Sequence, residues 1–197
     1  HPFLTSDGSI YFLNNRIYKI NLDGSLAWYS NENYFHHSLE LDYKQNIWVP
    51  GLNNSFSGYK DAIINISIDG RILFEKNMLE LFIENNLDYL VFAIGANFNH
   101  HNLDPFHIND IQPVLTNGDY WKKGDVFISL RNQSMLLLYR PSENKIIWKG
   151  TGFTYYQHDV NILNKSQISI FNNNYKKFNS NPSVDQSNQV LIYDFSN

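Results

Sequence analysis

The residues best suited to chemistry in this chain fall between Asp104 and Asp159. They read Asp104-Pro105-Phe106-His107-Ile108-Asn109-Asp110-Ile111, then Ser129-Leu130-Arg131-Asn132, then Gln157-His158-Asp159-Val160. On an extended strand, side chains two apart point the same way, so His107 and Asn109 are expected to share one face. A strand-like run from Val126 ends at Arg131, and another leads away from His158. Two imidazoles, an amide and a guanidinium delivered at strand ends suit a small oxyanion. Such groups can also pass that anion from a donor to an acceptor. Taken singly, each of these residues equally suits the plainer task of satisfying a neighbouring turn.

The rest of the chain must position them. Its 197 residues are enough for one all-β domain or slightly more. A hydrophobic share of 43% and an aromatic share of 16% provide ample core and exclude a disordered chain. Only 17% of residues are charged, the formal net charge is -4, and there is no basic stripe, so a nucleic-acid partner is not expected. With no cysteine there are no disulfides, thiolate metal sites or cysteine nucleophiles. No apolar run approaches the ~20 residues of a membrane-spanning helix. The chain opens at His1 with neither an initiator Met nor a signal peptide, and reads as a processed or truncated piece.

Asp7-Gly8, Asp23-Gly24 and Asp69-Gly70, each flanked by alternating apolar residues, predict hairpins, and a further turn is expected near 44–46. Residues 75–92 break the pattern: Leu79, Phe82, Ile83 and Leu87 fall at helical spacing and predict one inserted amphipathic helix that ends at Asn85-Asn86 or shortly after. An Asn-rich loop is expected over 172–181. Trp28, Trp148 and Phe74 each close a unit and are assigned to the core.

Units opening at His1, His37, His107 and His158 repeat this grammar of short strands and turns. Repeats of ~40–50 residues with about four strands each are the signature of propeller blades. We therefore expect an all-β chain forming a single β-propeller domain over 1–197, with blade-like units at about 1–35, 36–103, 104–156 and 157–197. In a propeller the innermost strands surround one axis, which would gather scattered histidines at a shared mouth. Four units do not obviously close a ring. Further sequence, another chain, or a second copy in a homo-oligomer would each supply the missing blades, and an open edge favours such pairing.

His36-His37, His107-x-Asn109, Ser129-Leu130-Arg131-Asn132, and Gln157-His158-Asp159 followed by Ile170-Phe171-Asn172-Asn173 resemble the bacterial arylsulfotransferase family. The resemblance runs through the chain and is carried best by residues 104–174. It implies a six-bladed β-propeller exported to the periplasm or cell surface. It also implies transfer of a sulfuryl group from an aryl sulfate to a phenol, without a nucleotide donor, through a sulfated histidine. Carried over by motif, His158 is the nucleophile and His37 the first active-site histidine, with His36 as its alternative. His107, Asn109 and Arg131 match the sulfate-binding group, and Asn132 joins them as a substrate-binding candidate. Ser38 stands where many members have an Asp, and members are much longer than this chain.

Arg131 can offer a planar fork of donors to two oxygens of a loose, sulfuryl-like transition state. Asn109 adds a neutral donor, and His107 a charged one if its surroundings raise its pKa. His37 would protonate the departing phenolate and deprotonate the incoming phenol. Asp159, next to His158 on a strand, is expected to point the opposite way. Two rival readings remain. One is a non-catalytic propeller that binds a ligand or assembles structurally. The other makes the histidines, with His100-His101, ligands for Zn or Cu. Because an Arg and an Asn belong to an anion site, no metal and no cofactor are expected.

Overall fold

Four turns of one design set the strand spacing in the first half of the chain. In each, the first and fifth residues are tied backbone to backbone: Thr5 N to Ser9 O, Asn21 N to Ser25 O, Asp42 N to Asn46 O and Ser67 N to Arg71 O, all 2.8–2.9 Å. The fourth residue has positive φ in every case: Gly8, Gly24, Gln45 and Gly70. An aspartate at the third position caps the first two, Asp7 accepting from Ser9 N and Asp23 from Ser25 N. In the third turn Asp42 leads and accepts from Lys44 N and Asn46 N. Asp and Gly do this at no steric penalty, which is why these turns were legible.

The computed structural model describes residues 2–30, 34–53, 59–92, 104–178, 181–183 and 187–197. Strands join into four antiparallel sheets, each following chain order. The first contains β1 (Phe3–Leu4), β2 (Ile10–Asn14), β3 (Arg16–Ile20) and β4 (Leu26–Tyr29). The second contains β5 (Tyr34–Phe35), β6 (Glu40–Leu41), β7 (Ile47–Leu52), β8 (Asp61–Ile66) and β9 (Ile72–Asn77), with β5 and β6 both paired to β7. Its first strand is thus interrupted over 36–39. The third contains β10 (Ile108–Pro113), β11 (Val126–Leu130), β12 (Met135–Arg140) and β13 (Lys145–Thr151). The fourth contains β14 (His158–Ile162), β15 (Gln167–Asn172) and, beyond a hairpin of β16 (Lys176–Phe178) and β17 (Asn181–Ser183), β18 (Gln189–Asp194). Sequential antiparallel meanders of this kind, with three to five short strands each, are propeller blades. The hairpin replaces part of the loop expected over 172–181.

The chain divides into two compact units, residues 1–105 and 106–197. The first buries Tyr11, Ile17, Phe35, Ile47, Val49, Ile64 and Ile66 together, with Trp28 packed against them. The second buries Trp121, Phe127, Leu136, Leu138, Val160, Ile168 and Ile170, with Trp148 and Phe195 packed against them and 4.7 Å apart between their own ring centres. Phe74 is half-buried beside Trp48. A bidentate pair, Arg140 Nε to Asp125 Oδ1 at 2.8 Å and Nη2 to Oδ2 at 2.9 Å, closes one end of the third sheet.

The helix begins later than its periodicity predicts and ends where it is expected to. Residues 75–77 stay in β9, because the Asn77 side chain caps α1 (Met78–Glu84) by accepting from Leu79 N and Glu80 N. Asn85 and Asn86 end it, and a single turn, α2 (Tyr89–Phe92), follows. Met78, Leu81 and Phe82 form the buried face of α1, whereas Ile83 is 50% exposed. The apolar stripe is therefore offset from the expected one.

Candidate functional site

In the second unit, the starts of β10 and β14 and the end of β11 are tied into one cluster. The turn after β11 hangs on the residues before β10: Arg131 N donates to His107 O at 3.1 Å and Asn132 N to Phe106 O at 3.2 Å. The connection from β13 to β14 is fixed by Gln157, whose side chain is fully buried. Its Nε2 lies 3.2 Å from Ser129 Oγ, 3.1 Å from Leu130 O and 3.0 Å from Met135 O, while Oε1 accepts from Thr154 Oγ1. Tyr156 N donates to Ser134 Oγ, and Asp110 Oδ2 accepts from Val160 N at 2.7 Å. These buried polar ties hold the three strand ends in fixed proximity.

Two breaks in strand register aim the side chains. Pairing shifts between Ile108 and Asp110 in β10, and between His158 and Val160 in β14. The extra residues are Asn109 and Asp159, at matching places in the two sheets, and Asp159 has φ 51°. Bulges beside sites commonly re-aim a side chain in this way. His107 precedes β10 with φ 49°. His107 and Asn109 therefore do not share a pleated face as an extended strand would require. The pairing expected from period two fails because one residue is left-handed and the other sits in the bulge.

His158 is half-buried. Its Nδ1 is 3.1 Å from Tyr156 O and 3.2 Å from Asn173 Nδ2. Burial pushes its pKa below the usual imidazole value, and the nearby charges of Arg131 and His107 push the same way, against the Tyr156 carbonyl and Asp159. Arg131 stacks over the Tyr156 ring, 4.9 Å from its centre, and donates through Nη1 to Asn132 Oδ1 at 3.3 Å. Asn109 is buried, and its Nδ2 donates to Gln157 O at 2.6 Å, while its Oδ1 is buried with no protein partner. The expected sulfate donor thus commits one of its two amide N–H groups to the backbone that leads into His158. Asn132 is exposed and braces Arg131.

The other two predicted residues lie in the first unit, in the break between β5 and β6. His37 is exposed with φ 66° and His36 half-buried. Their Nδ1 atoms are 2.7 Å apart, a distance at which one ring holds a proton that the other accepts. His100 and His101 lie outside the described residues. Among the described residues no three His, Asp or Glu side chains gather to hold a metal. A cavity of about 450 Å³ in the first unit, lined by Trp28, Phe35, Ile66 and Arg71 among others, contains none of the predicted residues.

Three contributors carried no assigned role from sequence. Gln157 and Asn173 stand inside the quoted motifs, but Gln157 bonds Ser129, 28 positions away, and Asn173 bonds His158, 15 positions away. Tyr156 carried no signal beyond adjacency to the motif.

Solved structures share this architecture at low identity. The WD40 domain of Neurospora crassa Pan2 matches with TM-score 0.59 and 10% identity over 100% of this chain and 48% of that one. A protein of unknown function from Bacteroides caccae matches with TM-score 0.54 and 10% identity over 98% and 62%. The Dos1 propeller matches with TM-score 0.53 and 14% identity over 100% and 48%. The fold is a β-propeller fold, and the chain spans about half to three-fifths of the length of these structures. No curated protein matches the sequence. The family model for arylsulfotransferase (ASST) matches residues 8–197, which include the histidines at the sheet starts and the arginine after β11. On that match the chain belongs to the arylsulfotransferase family.

Proposed function

We propose that this chain carries the transfer centre of an aryl-sulfate sulfotransferase, with His158 as the nucleophile. The observation that carries the reading is the setting of His158. It is half-buried, held through Nδ1, and flanked by Arg131 and His107, so that its ring stays neutral at neutral pH. A ring whose Nδ1 proton points at Tyr156 O places its lone pair on Nε2.

In the first step that lone pair attacks sulfur. The N–S bond forms as the S–O bond to the aryl oxygen breaks, and the departing phenolate takes a proton. In the second step a phenol oxygen attacks sulfur, the N–S bond breaks, and the phenol proton is given up. Negative charge on the sulfuryl oxygens faces the Arg131 guanidinium and the His107 ring, which act chiefly by positioning and electrostatics. His37 is proposed as the group that supplies and removes the phenolic proton, on the strength of its family motif. The aryl sulfate and the phenol, and a periplasmic or cell-surface setting, belong to the same proposal.

The test is phenol release from a chromogenic aryl sulfate, with the intact mass of rapidly quenched protein. Wild type should release phenol and gain one sulfuryl group, and His158→Ala should do neither. Phenol release by His158→Ala near the wild-type rate would overturn the assignment. A wild type that releases none with any acceptor would instead favour a ligand-binding propeller.

A further inference from the structure

Two groups grip one atom of His158. The Tyr156 carbonyl oxygen is 3.1 Å from Nδ1, and the Asn173 amide approaches the same nitrogen to 3.2 Å. A ring nitrogen has a single in-plane position, filled by either a proton or a lone pair. A carbonyl can only accept, whereas a primary amide can donate or, turned by half a rotation, accept. We propose that Asn173 is a positioning residue that favours the Nδ1-protonated ring of His158, turning its amide oxygen to that proton beside the Tyr156 carbonyl. With Nδ1 protonated, the Tyr156 carbonyl and the amide oxygen share that proton, and Nε2 is the basic nitrogen. This role rests on the sulfo-histidine reading in one respect. A ring sulfated at Nε2 becomes cationic and keeps its Nδ1 proton, so both contacts would persist through the transfer.

The geometry around Asn173 is built for a fixed distance. Its neighbour Asn172 is buried, and Asn172 Oδ1 accepts from Tyr155 N at 2.7 Å and Asn174 N at 3.2 Å. Asn172 Nδ2 also donates to Gln189 Oε1 at 3.4 Å, reaching β18. Consecutive asparagines at the end of β15 therefore clamp the connection that precedes His158 and the His158 ring itself. The charged and titratable groups around the ring are Arg131 after β11, His107 before β10, Asp159 on β14 itself, and the adjacent Tyr156. Asn173 is the neutral partner among them, so changing its charge should change the ring's proton affinity directly.

The experiment is NMR of protein labelled with ¹⁵N-histidine, across pH, on wild type, Asn173→Asp and Asn173→Ala, with steady-state kinetics alongside. Wild type should show His158 mainly as the Nδ1–H tautomer. Asn173→Asp supplies an acceptor only. It should raise the ring's titration midpoint by about one unit, a tenfold change in proton affinity, and carry the acid limb of kcat with it. Asn173→Ala should mix the tautomers and lower kcat on the order of tenfold with KM nearly unchanged. Identical tautomer ratios and midpoints in all three proteins would overturn the proposal. If Asn173→Ala fails to fold by circular dichroism, the isosteric Asp variant decides alone. The NMR measurement requires no turnover. Tautomer control in a protein that releases no phenol would therefore sink the sulfotransferase reading and leave this one standing.

Discussion

In the proposed transfer centre Arg131 has two roles whose loss can be separated. Its guanidinium is braced by Asn132 and stacked on Tyr156, which fixes a fork of donors beside His158. Its charge also helps keep the His158 ring neutral, after burial. Arg131→Ala should lower kcat/KM by ~10²–10³, the usual loss of one oxyanion donor. It should also move the acid limb of the pH–rate profile to higher pH. The sign follows because a protonated ring cannot attack, and removing a neighbouring cation lets the ring hold its proton to higher pH. Far-UV circular dichroism should be unchanged, since the backbone bond from Arg131 N to His107 O survives the truncation. A loss of rate with no movement of the limb would limit Arg131 to holding the anion. The same depressed pKa has a consequence for folding. Stability present above the usual imidazole range should fall as pH drops through the folded-state value, because the unfolded chain takes up that proton first.

At the scale of elements, the cluster depends on β10 and β14 being locked side by side. The buried bond from Val160 N to Asp110 Oδ2 at 2.7 Å does this at the bulge that follows His158. Asp110→Ala leaves that amide buried and unpaired. It should lower unfolding stability in urea by about 1–3 kcal/mol, and Asp110→Asn, which keeps an acceptor, by less. Equal midpoints for wild type and the Ala variant would mean the strands are held elsewhere. These elements also show which parts of the fold the sequence discloses. The Asp-Gly turns and the strands 126–130, 135–140 and 167–172 are legible because their determinants are local: a left-handed residue, a capping carboxylate, an alternating apolar run. The bulges at Asn109 and Asp159 and the break of the second sheet over 36–39 are not legible, because each is set by partners remote in the chain. Asn109 shows the difference well. Its position in the motif was readable, but its bond to Gln157 O is 48 residues away and could not be read from spacing. The start of the helix is hidden in the sequence for a related reason. Asn77 is an ordinary polar residue in a sequence window, and becomes a boundary only when its side chain turns onto Leu79 N and Glu80 N.

At the scale of the molecule, the proton transfer proposed for His37 and the sulfuryl transfer proposed at His158 make different demands on the donor. That difference gives a test that reads proton transfer apart from sulfuryl transfer. A donor whose phenol is acidic leaves as a phenolate without help, whereas a donor with a weakly acidic phenol needs a proton at the aryl oxygen as the S–O bond breaks. If His37 supplies that proton, His37→Ala should reduce first-step rates by ~10²–10⁴ for an unactivated phenyl sulfate and barely at all for a nitrophenyl sulfate, so the rate should come to depend far more steeply on leaving-group acidity. His158→Ala should abolish both. The pairing with His36 adds a control. The two Nδ1 atoms lie 2.7 Å apart, so His36→Gln retains a hydrogen-bonding side chain for His37 Nδ1 and should keep much of the leaving-group advantage, while His36→Leu should not. Equal losses on both donors in His37→Ala would take this histidine out of the proton path and leave His107, whose charge acts on His158, as the candidate for that role.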